Sequence, residues 1–341
     1  MTQKEIEQKI TNILSTIERD REREIISRRF GLFDRRETLE QIGEFLGITR
    51  ERVRQLEKSI LMRMQADAEK GDIPGLSEVE SAVHDNLVEL GNIARVTKLT
   101  DEIIGKESSK IDQSRVAFFA TLSPKFSVIP DNDHFHQSVA ITEVHDEGTV
   151  RKHVNDIIGA IKSLGEPHKI EKIAQHIDHN NPKHVQALSS TSKHLATLNG
   201  LWGLIKWPTV NPKNIRDKIY VILKEQGKHM HFSEIADAIK KSEFKRKDVT
   251  TQAIHNELIK DGRFVLIGRG VYALKEWGYK KGTVADIIAE VLKEAGEPLH
   301  RDEIVKRVLK SRYVKETTIL LNLQGKPQFK RTAKATYALA E

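Results

Sequence analysis

The stretch "TLEQIGEFLGITRERVRQLEKSI" (Thr38–Ile60) decides how the N-terminal part of the chain folds. At about 100° per residue, Arg50, Glu51, Arg54, Gln55 and Lys58 share one face of a helix. Val53, Leu56 and Ile60, continued by Met64, lie roughly opposite. Just upstream, Ile42, Gly43, Leu46, Gly47, Ile48, Val53 and Leu56 have the spacing of a helix-turn-helix. Gly43 lets a partner helix approach closely, and Gly47 suits the left-handed residue that ends the first helix. Ile48 plugs the gap, Thr49 is placed to cap the next helix, and Val53 and Leu56 bury it. The polar face then presents basic and amide groups, the types that base edges and phosphates bind. A solvated helix explains any one of these side chains, but not their position directly after such a turn.

Working outward, Ile6, Ile10, Ile13 and Ile17 fall at helical spacing, and "REREIISRRFGLFD" reads as a second helix stopped near Gly31. The chain has 341 residues, no cysteine and a formal net charge of +7. Without cysteine there is no disulfide framework, thiolate metal site or cysteine nucleophile. No apolar run is long enough for a membrane span, and the first residues have no signal-peptide core. A cytoplasmic protein is expected. Residues 1–70 carry a net +1, 71–205 a net −5 and 206–341 a net +11. The basic excess therefore lies in the C-terminal part, which points to a polyanionic partner there.

The segment Arg21–Met64 resembles region 4 of the sigma-70 type sigma factors of bacterial RNA polymerase, through "RFGL", "TLEQIG" and "TRERVRQLE" over about 45 contiguous residues. The resemblance implies a domain that reads the −35 promoter hexamer in the major groove of double-stranded DNA and docks on the β flap of the polymerase core. Position by position, it places Arg50, Glu51, Arg54 and Gln55 on bases, with Thr49, Arg52 and Lys58 as DNA-backbone contacts. A sigma factor also carries upstream domains and an aromatic cluster that opens the −10 element. The three tryptophans here (Trp202, Trp207, Trp277) lie far downstream, so a complete sigma factor is not expected.

"GDIPGLSE" (Gly71–Glu78) reads as a linker. Beyond it an anchor glycine recurs after an apolar helix at Gly91, Gly165, Gly227 and Gly296, at spacings of 74, 62 and 69 residues. Eight residues past each comes an apolar position of a second helix: Leu99, Ile173, Ile235 and Ile304. A third helix and an apolar ribbon follow. The irregular spacing argues against a solenoid, and the order within each copy is that of a winged helix. The third and fourth copies resemble the HARE-HTH family, which includes the N-terminal domain of the polymerase δ subunit. The expected fold class is mainly α: a helix-turn-helix domain (1–70) followed by tandem winged helices with small β-wings at 76–147, 148–212, 213–281 and 282–341.

Charge separates the copies. Lys245, Arg246 and Lys247 before a helix, and Arg269 in the wing, make the third copy a DNA-backbone binder. The fourth has Lys310, Arg312 and Lys315 near its third helix and Lys330, Arg331 and Lys334 in its wing. Such contacts add affinity and salt dependence without sequence information. The first two copies, in the acidic segment, are expected to contact protein. "DNDHFH" (Asp131–His136), a wing tip, and "QHIDHN" (Gln175–Asn180) bring ligand-type residues together, but neither has a metal-site spacing with a mechanism. No phosphate loop, dinucleotide fingerprint or nucleophile elbow occurs. The expectation is a binding protein of the bacterial nucleoid with no catalytic residues, metal or cofactor.

Overall fold

The computed structural model describes residues 1–244 and 248–340. The chain forms two units, Met1–Ile205 and Lys206–Glu341. Both are mainly helical with small antiparallel sheets.

Four helices open the first unit: α1 (Gln3–Ser15), α2 (Asp20–Phe30), α3 (Leu39–Leu46) and α4 (Arg50–Lys70). Local chemistry sets their ends. Thr2 with Glu5 and Thr38 with Gln41 form reciprocal capping boxes, and Gly31 and Gly47 end α2 and α3 in the left-handed conformation. A Cβ on Gly43 would lie 2.7 Å from the carbonyl oxygen of Ile48. The close approach at Gly43 is therefore made by the turn into α4, where the sequence pointed to a partner helix. Ile25, Ile42 and Val53 form a small core under the turn, closed by Leu39, Leu46, Ile48 and Leu56.

The same architecture then recurs four times. The first copy runs α5 (Leu76–Leu90), β1 (Ile93–Arg95), α6 (Val96–Ile104), α7 (Lys110–Leu122), β2 (Phe126–Ile129) and β3 (Ser138–Ile141). The second runs α8 (Glu147–Leu164), β4 (His168–Lys169), α9 (Ile170–His176), α10 (Pro182–Thr191), β5 (Leu195–Leu198) and β6 (Leu201–Leu204). The third runs α11 (Ile215–Gln226), β7 (Met230–His231), α12 (Phe232–Lys241), α13 (Thr251–Lys260), β8 (Phe264–Gly268) and β9 (Val271–Leu274). The fourth runs α14 (Val284–Ala295), β10 (Leu299–His300), α15 (Arg301–Ser311), α16 (Glu316–Gly325), β11 (Phe329–Ala333) and β12 (Thr336–Leu339). In every copy the last strand lies between the other two, all antiparallel, which is the winged-helix sheet. The four anchor glycines cap the first helix of each copy with positive φ. The four positions eight residues later are fully buried.

The sigma-like module and the first copy share one core. Ile6, Ile10, Ile13, Ile60 and Met64 pack in the same cluster as Leu87, Leu99, Phe118 and Phe119. The stretch Gly71–Glu78 is not a free linker: Ile73 and Leu76 are buried in that cluster, because a turn between two packed helices brings them inward. The seam is also hydrogen-bonded. Buried Arg115 donates from Nε to the Leu32 carbonyl (2.8 Å) and from Nη1 to Glu7 (3.2 Å). Gln65 donates to the Thr121 carbonyl (2.8 Å), and the Phe30 and Phe118 rings meet at 4.9 Å.

The second copy docks on the first through backbone and histidine contacts. The expected wing tip at Asp131–His136 is instead tied to the second copy. Phe135 bridges to Ser192, the His136 amide donates to the Thr191 carbonyl (2.9 Å), and the Lys193 amide donates to the His134 carbonyl (2.8 Å). Deeper in the joint, His184 Nδ1 lies 2.8 Å from the Gly91 carbonyl, which can only accept, so Nδ1 carries the proton. Its Nε2 then accepts from His145 Nε2 at 3.0 Å. His179 stacks on His184 and His153 meets His145 edge-on. Burial, followed by the neighbouring His184 and His153, pushes His145 down to about 4. Burial likewise lowers His184.

A histidine depressed in the fold binds its proton more readily when unfolded, so stability falls as pH drops below the ordinary value near 6.5. The loss is complete near pH 4, the folded value of His145. Denaturant titrations of the full chain should show the first unit losing roughly 3 kcal/mol between those limits. His145→Phe should flatten that dependence.

Candidate nucleic-acid interface

The geometry of α4 follows from its turn. Thr49 Oγ1 accepts from the Arg52 amide at 3.2 Å and caps the helix, so its own hydroxyl hydrogen is left to donate. Arg21 holds the end of α3 by donating to the Leu46 carbonyl at 2.8 Å. Val53 is buried beneath the turn and Ile60 and Met64 in the core shared with the first winged helix. Arg50, Glu51, Arg52, Arg54, Gln55 and Lys58 are all exposed or half-buried on the outer side. The sequence-derived set therefore converges on one solvent-facing stretch.

In the free protein these side chains hold one another. Arg54 donates to Glu51 through Nε at 2.8 Å and through Nη2 at 2.7 Å, a two-pronged pair. Gln55 donates to the same carboxylate at 3.4 Å, Arg52 to Gln55 at 3.4 Å, and Arg50 to Glu40 at 3.0 Å. The hydrogen bond from Arg54 holds the Glu51 carboxyl below its ordinary range, and Glu51 in turn raises Arg54. Lys58 has no ion-pair partner among the described residues. To reach a base, Arg54 must leave Glu51, and the network is exposed enough to rearrange.

The third helices of the four winged copies fall into two classes. On α7 only Lys110 is exposed, and Val116 to Ala120 are all buried. On α10 only Lys183 and Gln186 are exposed, while His184, Val185, Ala187, Leu188, Ser189 and Thr191 are buried. Both helices sit in joints: α7 in the seam with the sigma-like module, α10 against the end of α5. A Cβ on Gly91 would meet the Ala187 methyl and the Lys183 carbonyl, each at 3.0 Å. By contrast, α13 buries Ile254 and Leu258, and α16 buries Ile319 and Leu323, leaving the remainder of each helix exposed or half-buried. The apolar run Val116–Ala120 is the signal that could have marked α7 as a docking helix from sequence.

Lys245, Arg246 and Lys247 lie outside the described residues. Arg269 is exposed in the two-residue turn between β8 and β9. Lys310, Lys315, Lys330, Arg331 and Lys334 are exposed as well. Arg312 is not a free cation on the surface. It donates from Nη1 to the Leu266 carbonyl at 2.8 Å, and burial lowers its pKa.

These features define a chain of helix-turn-helix and winged-helix units. Residues 19–66 match the family model of sigma-70, region 4. Residues 215–277 match the HARE-HTH family model, described as a restriction endonuclease HTH domain. Together the two matched domains support a DNA-binding regulatory role. No helix among the described residues is long and apolar enough to cross a membrane.

Freeing Arg54 should change how it discriminates. Glu51→Ala is expected to tighten binding to any duplex severalfold and to lower the preference at the base pair facing residue 51. Anisotropy titrations with single-base-substituted duplexes measure both, and an unchanged preference at every position would place Glu51 away from the bases.

Proposed function

We propose that the protein reads a −35-type promoter element through α4 and modulates initiation by bacterial RNA polymerase, acting by binding and not by catalysis. One observation carries the reading. Of the candidate reading helices in the first unit, α4, α7 and α10, only α4 offers a continuous polar face to solvent. In this reading Arg50, Glu51, Arg54 and Gln55 meet base edges, and Thr49, Arg52 and Lys58 meet the flanking phosphates. Arginine matches guanine bidentately, glutamine matches adenine, and glutamate accepts from the cytosine amino group. The first two winged helices contribute no reading helix; they fix α4 on a larger body. The basic third and fourth copies hold flanking DNA without regard to sequence.

The β flap of the polymerase core is the proposed protein partner, and the bacterial nucleoid the proposed location. Co-purification with core polymerase tests the first point. Promoter binding without polymerase would instead favour an independent repressor or chromosome-organising protein, and loss of all DNA binding a protein scaffold.

The direct test is fluorescence anisotropy with one duplex carrying a −35 hexamer and one scrambled, over a salt series. A preference for the hexamer that survives moderate salt is expected. Arg54→Ala should weaken hexamer binding roughly tenfold or more and relax base preference. Equal weakening on both duplexes would assign Arg54 to a phosphate and overturn the base-reading role.

A further inference from the structure

The third and fourth winged helices are joined by a built contact, and its position has a consequence for how they meet a polyanion. The contact is made by the stretch between α15 and α16. Arg312 reaches back to the carbonyl of Leu266 on β8, the edge strand of the third copy's sheet. That carbonyl sits where the β8–β9 register shifts, between Leu266 and Gly268. The Tyr313 carbonyl lies 3.1 Å from where a Cβ on Gly268 would stand. The Tyr313 ring is 4.3 Å from the ring of His229, and the Lys280 amide donates to the Ser311 carbonyl at 3.4 Å. The guanidinium of Arg312 is thus used to hold one copy against the other.

This contact brings together cations that are far apart in sequence. Arg269 follows Gly268 directly, at the tip of the third copy's wing. Lys315 comes two residues after Tyr313, at the entrance of α16, and Lys310 lies in the last turn of α15. Consecutive Cα atoms are about 3.8 Å apart, so Arg269 and Lys315 start within a few residues' reach of the Gly268–Tyr313 contact. All three are exposed, and none has an ion-pair partner among the described residues. The carboxylates nearby are Glu316, which is exposed beside Lys315, Glu303, which feels Lys310 but pairs with Arg307, and Asp286, which acts on Arg312. Elsewhere exposed cations are often neutralised, as Arg50 is by Glu40.

We infer that the last two winged helices bind DNA as one body, with the wing of the third copy and the entrance of α16 in the fourth forming a single surface for the phosphodiester backbone. This rests on the DNA-binding reading above and adds the site. It differs from two independent modules: Arg269, Lys310 and Lys315 engage one backbone run together, and Arg312 serves as the positioning residue that keeps them aligned. The surface carries no base-reading set, so it grips without sequence preference.

The test uses the full chain and a 30-base-pair duplex lacking the hexamer. In the variant carrying Arg269→Gln, Lys310→Gln and Lys315→Gln, the slope of log affinity against log salt should become shallower by about 0.9 per lost contact. Affinity at low salt should fall at least tenfold. Arg312→Gln, with its exposed neighbours intact, should also weaken binding severalfold, while thermal melts verify that both variants fold. An unchanged salt slope in the triple variant would overturn the surface, and a silent Arg312→Gln would overturn the single-body claim. The ratio of hexamer to scrambled binding is read on the same proteins. It should survive in the triple variant; if it is absent in the unaltered protein, the α4 reading fails while this surface stands or falls on the slope alone.

Discussion

Everything in the first unit depends on α4 belonging to two cores at once. Its first two turns are pinned through Val53 to the small cluster under the helix-turn-helix. Further along, Ile60 and Met64 enter the large cluster shared with α1, α5 and α7. At 1.5 Å per residue, a helix of 21 residues spans about 30 Å, enough for one end to face solvent while the other is buried in the next domain. A reading helix anchored only by its own motif could tilt. This one is held at both ends by apolar packing, with the desolvated guanidinium of Arg115 bonded to the Leu32 carbonyl across the seam. A buried cation is tolerated only where such partners meet it.

The two units use the same fold in opposite ways. In the first, the third helix of each winged copy is spent on packing against the preceding domain. In the second, α13 and α16 each bury one narrow stripe and leave the rest of their surface free. Charge follows this division: the acidic segment holds the docking helices and the basic segment the free ones. A recognition helix that becomes a docking helix no longer needs positive charge, and its exposed residues dwindle to a few positions such as Lys110, Lys183 and Gln186.

Much of this is legible in the sequence because it is local. The turn residues Gly43, Gly47 and Thr49 fix the helix-turn-helix whatever surrounds it, and an anchor glycine followed eight residues later by a buried aliphatic side chain locates all four copies. The exposed set on α4 follows from helical periodicity alone. What is not legible is contact between copies. Gly71–Glu78 has the composition of a linker, yet Ile73 and Leu76 find apolar neighbours only once α1 and α5 are in place. Asp131–His136 looks like a free tip, because its backbone partners lie some 60 residues away in the second copy. Arg312 reads as one more surface cation until the Leu266 carbonyl is seen beside it.

The Gly91 joint also bears on how such an array can change over time. The second copy's α10 fits against a helix end that has no side chain, with its Ala187 methyl and Lys183 carbonyl filling the space a Cβ would occupy. Its His184 depends on the Gly91 carbonyl as its acceptor. At the other anchor glycines, Gly165, Gly227 and Gly296, nothing lies within 4 Å of the same position. The copies are therefore not interchangeable building blocks. Duplicating or reordering one would set α10 against a surface not shaped for it, so the array is fixed in its order, and lengthening it requires a new joint to evolve along with each new copy.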